Sequence, residues 1–185
     1  MKTHDMANEP KHLKYQPFYC EENIWHLCQH PDYLDGDVVF IAGYGSYFPM
    51  LCQQGCENQG SLVFWDYHVV LLKDGKIFDF NTTLPFSSLV ESYFAQSFIN
   101  ESRLRPLQVA MFRVMPANEF VAAFQSDRSH MKTTDGWSAE PPEWPLISES
   151  SSNLDRFADM EDLEFGRVLS ASELLNINAN NSSHF

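Results

Sequence analysis

Two polar residues lie in apolar stretches of the sequence whose alternating pattern is typical of core-facing strands. His68 lies in the stretch before the dipeptide Asp74-Gly75, and Asp79 lies in the stretch after it. Asp-Gly between alternating apolar runs predicts a β-hairpin with a two-residue type I′ turn. An imidazole and a carboxylate buried in such a hairpin are stable only if they find partners, so their positions raise the question of what they do.

The turn determines which residues of the predicted hairpin face each other. The expected pairs are Lys73–Lys76, Leu72–Ile77, Val70–Asp79 and His68–Asn81. His68 and Asp79 then share a face at a diagonal Cα separation of about 7–8 Å, which their side chains can bridge with a hydrogen bond. A one-residue slip would put them on opposite faces. From the hairpin alone, the pair either orients a catalytic imidazole or only stabilises the sheet.

A nucleophile for such an imidazole is available in Cys20. Apolar residues at helical spacing predict a helix that begins at Cys20. A helix N-terminus favours a thiolate and offers backbone N–H groups to an oxyanion, although Glu21 and Glu22 in the first turn oppose the thiolate by charge repulsion. A cysteine at a helix start, with a strand-borne histidine and its carboxylate partner, is the papain-like arrangement. Cys20 as an ordinary helix-face thiol is the alternative.

The elements around these residues predict an α+β fold, a mostly antiparallel sheet flanked by helices. Trp65 and Tyr67 alternate onto the hairpin face opposite His68, so we expect them to pack under a helix. Ser88 and Glu91 have the spacing of a capping box at the start of a second helix. The 185 residues are predicted to form one domain, 1–185, with loose termini at 1–14 and 178–185.

Composition and charge narrow the classes of function. Apolar residues make up 44% of the chain, which is typical of a globular protein, and the formal net charge of −13 argues against nucleic acid or an anionic membrane as a partner. The N-terminal stretch has no apolar signal core, and no run approaches the ~18 apolar residues of a membrane span. We therefore expect a soluble intracellular protein whose four cysteines are thiols.

Four ordered blocks resemble a known family. They are Tyr19–Trp25 (YCEENIW), Trp65–Val69 (WDYHV), Phe78–Phe86 (FDFNTTLPF) and Ser126–Lys132 (SDRSHMK). The sequence is similar, over residues 15–175, to the protein N-terminal glutamine amidohydrolases, the WDYHV-motif family of the N-degron pathway.

The resemblance implies a papain- or transglutaminase-like cysteine hydrolase with Cys20, His68 and Asp79 as catalytic residues. It implies hydrolysis of the side-chain amide of an N-terminal glutamine to glutamate and ammonia, through a thioester. It also implies a monomer that needs no metal or other cofactor and acts in the cytoplasm and also in the nucleus. The family commonly has a second acid two residues after the catalytic aspartate. Here that position is Asn81, so the role of the second acid stays open.

Recognition of a terminal residue requires an acceptor for the free α-ammonium group. Glu21, Glu22 and Asp66 are the candidate substrate-binding carboxylates. Arg128 can pair with an acid such as Asp66. His130 either orders the pocket or serves as a second base.

Three other functions remain as alternatives. A papain-like cysteine peptidase would use the same three residues on a backbone amide, and a non-catalytic module would bind N-terminal residues without turnover. A zinc site is the third, and its donors lack the paired spacing of zinc ribbons, so we predict no metal. The potential donors are Cys20, His26, Cys28, His30, Cys52 and Cys56.

Overall fold

The computed structural model describes residues 13–54 and 60–182. The helices are α1 (Cys20–Leu27), α2 (Val90–Ser97), α3 (Ala117–Ala123), α4 (Leu154–Ala158) and α5 (Ala171–Ser182). The strands are β1 (Asp37–Ala42), β2 (Phe48–Met50), β3 (Val63–Trp65), β4 (His68–Lys73), β5 (Lys76–Phe78), β6 (Ser87–Leu89), β7 (Met111–Pro116), β8 (Lys132–Thr133), β9 (Gly136–Trp137) and β10 (Arg167–Leu169). Cys56 and the first twelve residues, most of the predicted loose N-terminus, lie outside the described residues.

Six strands form one sheet in the order β10-β7-β1-β4-β5-β6. Every neighbouring pair in it is antiparallel. β2 pairs with β3, and β8 pairs with β9, in two small ribbons. The predicted α+β class with a mostly antiparallel sheet is therefore confirmed. Within the described residues, no helix is long and apolar enough to span a bilayer.

Helices cover both faces of the sheet. One face packs α1, α3 and α4 against alternate residues of β1 and β4, including Phe40 and Val69. The other face packs α2 and α5 against the intervening residues, including Val39 and Val70. Both layers bury aromatic and aliphatic side chains, so β4 is buried on both of its faces and its N-terminal residue, His68, is fully buried.

The predicted hairpin forms, and its turn has the expected geometry. Asp74 and Gly75 have φ values of 50° and 71°, the left-handed conformation that a type I′ turn requires. Lys73 pairs with Lys76, as the sequence predicted, and the ladder ends two pairs later, where β5 stops at Phe78. Asp79 then turns away, and its N–H donates to the carbonyl of Phe86, 3.1 Å away.

The predicted capping box is wrong. Ser88 lies in β6, where it faces Ile77, and its hydroxyl donates to the Pro85 carbonyl at 3.0 Å. α2 begins two residues later, at Val90, without a side-chain cap. These residues form a strand rather than a helix start because pairing with β5 provides hydrogen-bond partners for their backbone N–H and C=O groups.

The predicted loose C-terminus is also corrected in part. Residues 178–182 belong to the last turns of α5, and only 183–185 lie outside the described residues. The Asn178 amide donates to the Glu91 carboxylate of α2 at 3.1 Å, which fixes this end of the helix.

Candidate active site

His68 and Asp79 form the hydrogen bond that the hairpin predicted. His68 Nε2 lies 2.9 Å from Asp79 Oδ1, and both side chains are almost completely buried. Because the carboxylate accepts at Nε2, Nε2 carries the proton and Nδ1 is left as an acceptor. Nδ1 is buried and has no hydrogen-bond partner within the described residues. The pair thus presents an oriented imidazole with one free nitrogen.

Asp79 has further donors that sequence reasoning missed. The Asn81 backbone N–H donates to Oδ1 at 2.8 Å. The Tyr93 hydroxyl of α2 donates to Oδ2 at 2.8 Å, and the Gln53 amide lies 3.4 Å from the same oxygen. A signal was available for Tyr93, because a tyrosine on the inward face of a helix needs a partner for its hydroxyl.

These donors keep Asp79 charged. Burial opposes its ionisation. The interaction with His68 and the hydrogen bonds from the other donors favour the charged form, and together they outweigh burial. The pKa of Asp79 is therefore lower than its ordinary value. An ionised Asp79 fixes the tautomer of His68 and stabilises the imidazolium that would form during catalysis.

Cys20 is the first residue of α1 and is 5% exposed. The backbone N–H of Val69, the residue after His68 in β4, acts on its thiol and favours a lower pKa. Burial raises the pKa of the thiol well above its ordinary value, and the charge of Glu21 raises it further, while the Val69 hydrogen bond opposes the rise. The resting side chain is thus a neutral thiol that needs a base before it can attack.

Cys20 opens into a cleft of about 470 Å³. The residues that line it with Cys20 include Phe18, Trp65, Asp66, Tyr67 and His130. The prediction that Trp65 and Tyr67 pack under a helix, away from His68, is wrong for Trp65, whereas Tyr67 packs against the core on the α1 side of the sheet. The indole of Trp65 stacks on the His68 ring at 5.1 Å and 17°, because β3 ends at Trp65 and the chain turns before β4.

Glu21 lies behind the cleft wall and is fully buried. Its Oε2 accepts from the Tyr67 hydroxyl at 3.0 Å and lies 3.7 Å from the Cys20 sulfur. Its Oε1 lies 3.4 Å from His130 Nε2. Glu21 therefore contacts residues that line the cleft without lining it itself.

Glu22 forms a buried salt bridge and does not line the cleft. Arg128 donates to both of its oxygens at 2.7 Å, and the Trp144 indole donates to one of them at 2.7 Å. The acid that Arg128 pairs with is thus Glu22 rather than Asp66, and the Glu22 carboxylate is buried away from the cleft. The local sequence gave no sign of a contact between residues 106 positions apart.

Arg128 also organises a segment that has neither helix nor strand. Its guanidinium donates to the carbonyls of Pro142, Trp144 and Pro145. A further carbonyl of the same segment, that of Ala139, accepts from the hydroxyl of Tyr19 at 3.2 Å. Tyr19, just before α1, and Glu22, in its first turn and bound to Arg128, are thereby connected to residues 139–145.

Asp66 is the exposed carboxylate of the three candidates. It lines the cleft with Cys20, and its Oδ1 accepts the Tyr67 backbone N–H at 2.9 Å. Asp155 and Asp159 of the α4 region also line the cleft and are exposed. The potential metal donors do not converge, since no group of three or more His, Cys, Asp or Glu side chains in residues 13–54 and 60–182 is placed to hold a metal ion.

Comparisons with known proteins identify the family of the chain. The model of the N-terminal glutamine amidase family matches residues 15–178. The protein named protein N-terminal glutamine amidohydrolase in Danio rerio is 35% identical over 176 residues, 87% of each chain. Its Drosophila melanogaster namesake is 36% identical over 177 residues, 87% of this chain and 86% of its own. With a match over most of its length, the chain belongs to the N-terminal glutamine amidase family.

Proposed function

We propose that this chain hydrolyses the side-chain amide of an N-terminal glutamine in proteins or peptides, giving glutamate and ammonia. Family membership and the names of the relatives support the reaction. One observation supports the assignment of the chemistry to residues. The buried imidazole of His68 is bound to the Asp79 carboxylate and keeps Nδ1 free, and the backbone N–H of the next residue, Val69, acts on the Cys20 thiol.

In the first half of the reaction, His68 Nδ1 takes the proton of the Cys20 thiol. The sulfur attacks the side-chain amide carbon of glutamine and forms a C–S bond. The tetrahedral intermediate then collapses, the C–N bond breaks, and the amide nitrogen leaves as ammonia with the proton from His68. A thioester remains, and Asp79 stabilises the imidazolium between the two proton transfers.

In the second half, His68 removes a proton from water as the water attacks the thioester. The C–S bond breaks, the thiolate takes the proton back from His68, and the product side chain is a carboxylic acid. The sum is one amide and one water giving one acid and one ammonia. The backbone N–H of Cys20 suits the oxyanion, because the first residues of an α-helix have no intrahelical acceptor for their N–H groups.

Asp66 is the residue we assign to the α-ammonium of the substrate. Of the three candidate carboxylates, it alone lines the cleft, since Glu21 is buried behind Tyr67 and Glu22 is bound to Arg128. Neutralising Asp66 in Asp66→Asn should raise KM more than kcat falls. Asp155→Asn is the matched control, because it removes a cleft carboxylate that we do not assign to the ammonium.

Ammonia release from synthetic peptides tests the proposed reaction. A peptide that begins with glutamine should release ammonia and gain 1 Da in mass. The same peptide with an acetylated N-terminus, or with glutamine at position two, should release none. Ammonia from either blocked peptide would contradict terminal specificity. Cleavage of the peptide backbone would indicate the peptidase, and binding without turnover would indicate the non-catalytic module.

The proposal extends to the setting of the enzyme. We propose a monomer of the cytoplasm and nucleus that feeds the N-degron pathway by producing N-terminal glutamate. Light scattering at micromolar concentration checks the monomer, and a dimer mass would contradict it.

A further inference from the structure

A buried carboxylate lies against the proposed nucleophile. Glu21 is fully buried, and its Oε2 lies 3.7 Å from the Cys20 sulfur. The negative charge of Glu21 raises the pKa of the Cys20 thiol, second in effect only to burial. The catalytic reaction proposed above would gain from a neutral residue at this position. The question is therefore what compensates the charge.

Among the described residues, Tyr67 and His130 make polar contacts with Glu21 besides that of Cys20. The Tyr67 hydroxyl donates to Oε2, and His130 Nε2 faces Oε1 at 3.4 Å. Tyr67 supplies a hydrogen bond but no charge. The nearby guanidinium, that of Arg128, is bound to both oxygens of Glu22. Within the described residues, His130 is thus the side chain that can bring a positive charge into contact with Glu21.

His130 is placed to change its charge in response to solvent. Its side chain is 20% exposed and lines the cleft, while Nε2 points inward to Glu21 and to the Tyr67 hydroxyl at 3.4 Å. Burial disfavours its imidazolium, but the hydrogen bond and charge of Glu21 outweigh burial, so the pKa of His130 is raised. Glu22 and Asp66 act in the same direction.

We propose that His130 is the counter-ion of Glu21, and that its protonation controls the reactivity of the Cys20 sulfur. It is a positioning residue, because it acts on the nucleophile through Glu21. The inference rests on Cys20 as the nucleophile of the proposed function. When His130 is protonated, the pair is neutral and the thiolate forms more easily. When His130 is neutral, the charge of Glu21 stands uncompensated beside the sulfur.

The direction with pH follows from the charges that face the pair. The charges that act on His130 are the carboxylates of Glu21 and Glu22 in α1 and of Asp66, which precedes β4. Because the pKa of His130 is raised, the imidazolium is fully present below the ordinary histidine value of about 6.5. Its compensation of Glu21 is lost as pH rises through the raised pKa of His130 in the folded protein.

A double-mutant cycle on thiol reactivity tests the proposal without a substrate. The four proteins are the natural chain, His130→Gln, Glu21→Gln and the double variant. Alkylation of Cys20 by the uncharged reagent iodoacetamide is followed by peptide mass from about pH 6 upward, until the pH lies above the raised pKa of His130. His30→Gln is the matched control, because it removes a histidine that lies 3.6 Å from Asp32 at the surface, outside the cleft.

The cycle has one supporting pattern. At the lowest pH, His130→Gln should slow alkylation of Cys20 by at least ~3-fold, the effect of about half a pKa unit. It should have no effect when Glu21 is already Gln, and the difference should disappear as pH rises. Equal slowing in both backgrounds, or none in the presence of Glu21, overturns the proposal. The control should behave like the natural chain.

A second measurement covers the case in which Glu21→Gln does not fold. The ring protons of His130 in the natural chain are titrated by NMR. A pKa above the ordinary value of about 6.5 supports the pair, and a value at or below it overturns the pair. Both measurements stand apart from the proposed reaction. If His130 and Glu21 are coupled but no ammonia is released, only the proposed substrate is refuted. If ammonia is released but the two residues are not coupled, only the role of His130 is refuted.

Discussion

Two buried carboxylates, Asp79 and Glu21, act on the sulfur of Cys20, the proposed nucleophile, and their hydrogen-bonding needs are satisfied to different degrees. Asp79 accepts from His68, Tyr93, a backbone N–H and, at longer distance, Gln53. Glu21 is equally buried but has one hydroxyl donor, the Cys20 thiol at 3.7 Å and one imidazole at 3.4 Å. The surplus of donors fixes the charge of Asp79, whereas the charge of Glu21 depends for its compensation on a group that titrates.

The difference follows from the elements that supply the partners. His68 belongs to the central sheet, and Tyr93 belongs to a helix packed on that sheet. His130 lies in a short 3-10 turn that connects α3 to the β8–β9 ribbon. We infer that the Asp79 side provides a fixed geometry for proton transfer, while the Glu21 side adjusts the electrostatics of the nucleophile.

The largest effect is expected when the sulfur between the two carboxylates is removed. Cys20→Ala should abolish ammonia release from a glutamine-initiated peptide while the protein stays folded, because no other group can form the thioester. Cys28→Ala is the control, since burial raises the pKa of this second α1-proximal thiol to about 12 and we assign it no role in the reaction. Retained turnover in Cys20→Ala would refute the assignment of Cys20 as the nucleophile.

The next effect separates the two carboxylates directly. Asp79→Asn should lower kcat by about 10³–10⁴-fold, because an amide at this position favours the wrong tautomer of the imidazole. Glu21→Gln should change kcat by less than about tenfold, since it removes an unfavourable charge and leaves His68 in place. Steady-state kinetics on one glutamine peptide measures both. A larger loss in Glu21→Gln would reverse the comparison.

A third buried carboxylate, Glu22, tests whether its salt bridge with Arg128 stabilises the fold. Arg128→Met should destabilise the fold by about 3–5 kcal/mol, because it leaves the charge of Glu22 buried and unpaired. Glu22→Gln in the same protein should restore part of the loss. Urea unfolding measures the free energies. Arg156→Met is the control, because its ion pairs with Asp162 and Glu164 are exposed, and a loss as large as that of Arg128→Met would contradict the argument.

A smaller effect concerns one donor to Asp79. Tyr93→Phe removes a hydrogen bond to a charged group, which typically contributes about 1.5–3 kcal/mol. The pKa of Asp79 is lowered in the folded protein, so its stabilisation is present above the unfolded pKa and is lost as pH falls through the folded pKa. With one donor fewer, this loss should begin at a higher pH. Thermal unfolding at several pH values measures the shift, and an unchanged acid limb would contradict it.

The smallest expected effect is a gain in stability at the cleft wall. Phe18 has φ of 68° and is 59% exposed, so the backbone holds a bulky residue in the left-handed region. Phe18→Gly should relieve this strain and stabilise the fold by up to about 1 kcal/mol, less the entropy that glycine adds to the unfolded chain. Tyr47→Gly, at an exposed aromatic with negative φ, should destabilise it. Chemical unfolding compares them, and a loss in Phe18→Gly would show that the aromatic ring stabilises the fold.

The same contrast explains how much of the site could be predicted from the sequence. The Asp74-Gly75 turn and the two-residue period of strands were enough to bring His68 and Asp79 onto one face. That part of the site depends on contacts between neighbours in the sequence. The hydrogen bond survived even though β5 ended before Asp79, because the carboxylate still reaches the ring from the following turn.

The remainder depends on contacts that no local pattern encodes. Glu22 is 106 residues from Arg128 and 122 residues from Trp144, so its sequence context favoured a solvated side chain. Trp65 was assigned to the wrong face because the strand period was extended through a chain turn between β3 and β4. Ser88 carried a helix-start pattern that pairing with Ile77 overrode.

The irregular segment held by Arg128 has a consequence for how the protein tolerates change. Three of its main-chain oxygens, rather than its side chains, accept from the guanidinium. Most substitutions between 139 and 145 should then be harmless, provided that the indole of Trp144 is kept. Deleting or inserting a single residue there would displace these carbonyl acceptors from the guanidinium together. The protein should therefore tolerate changes in the length of this segment less well than changes in its side chains.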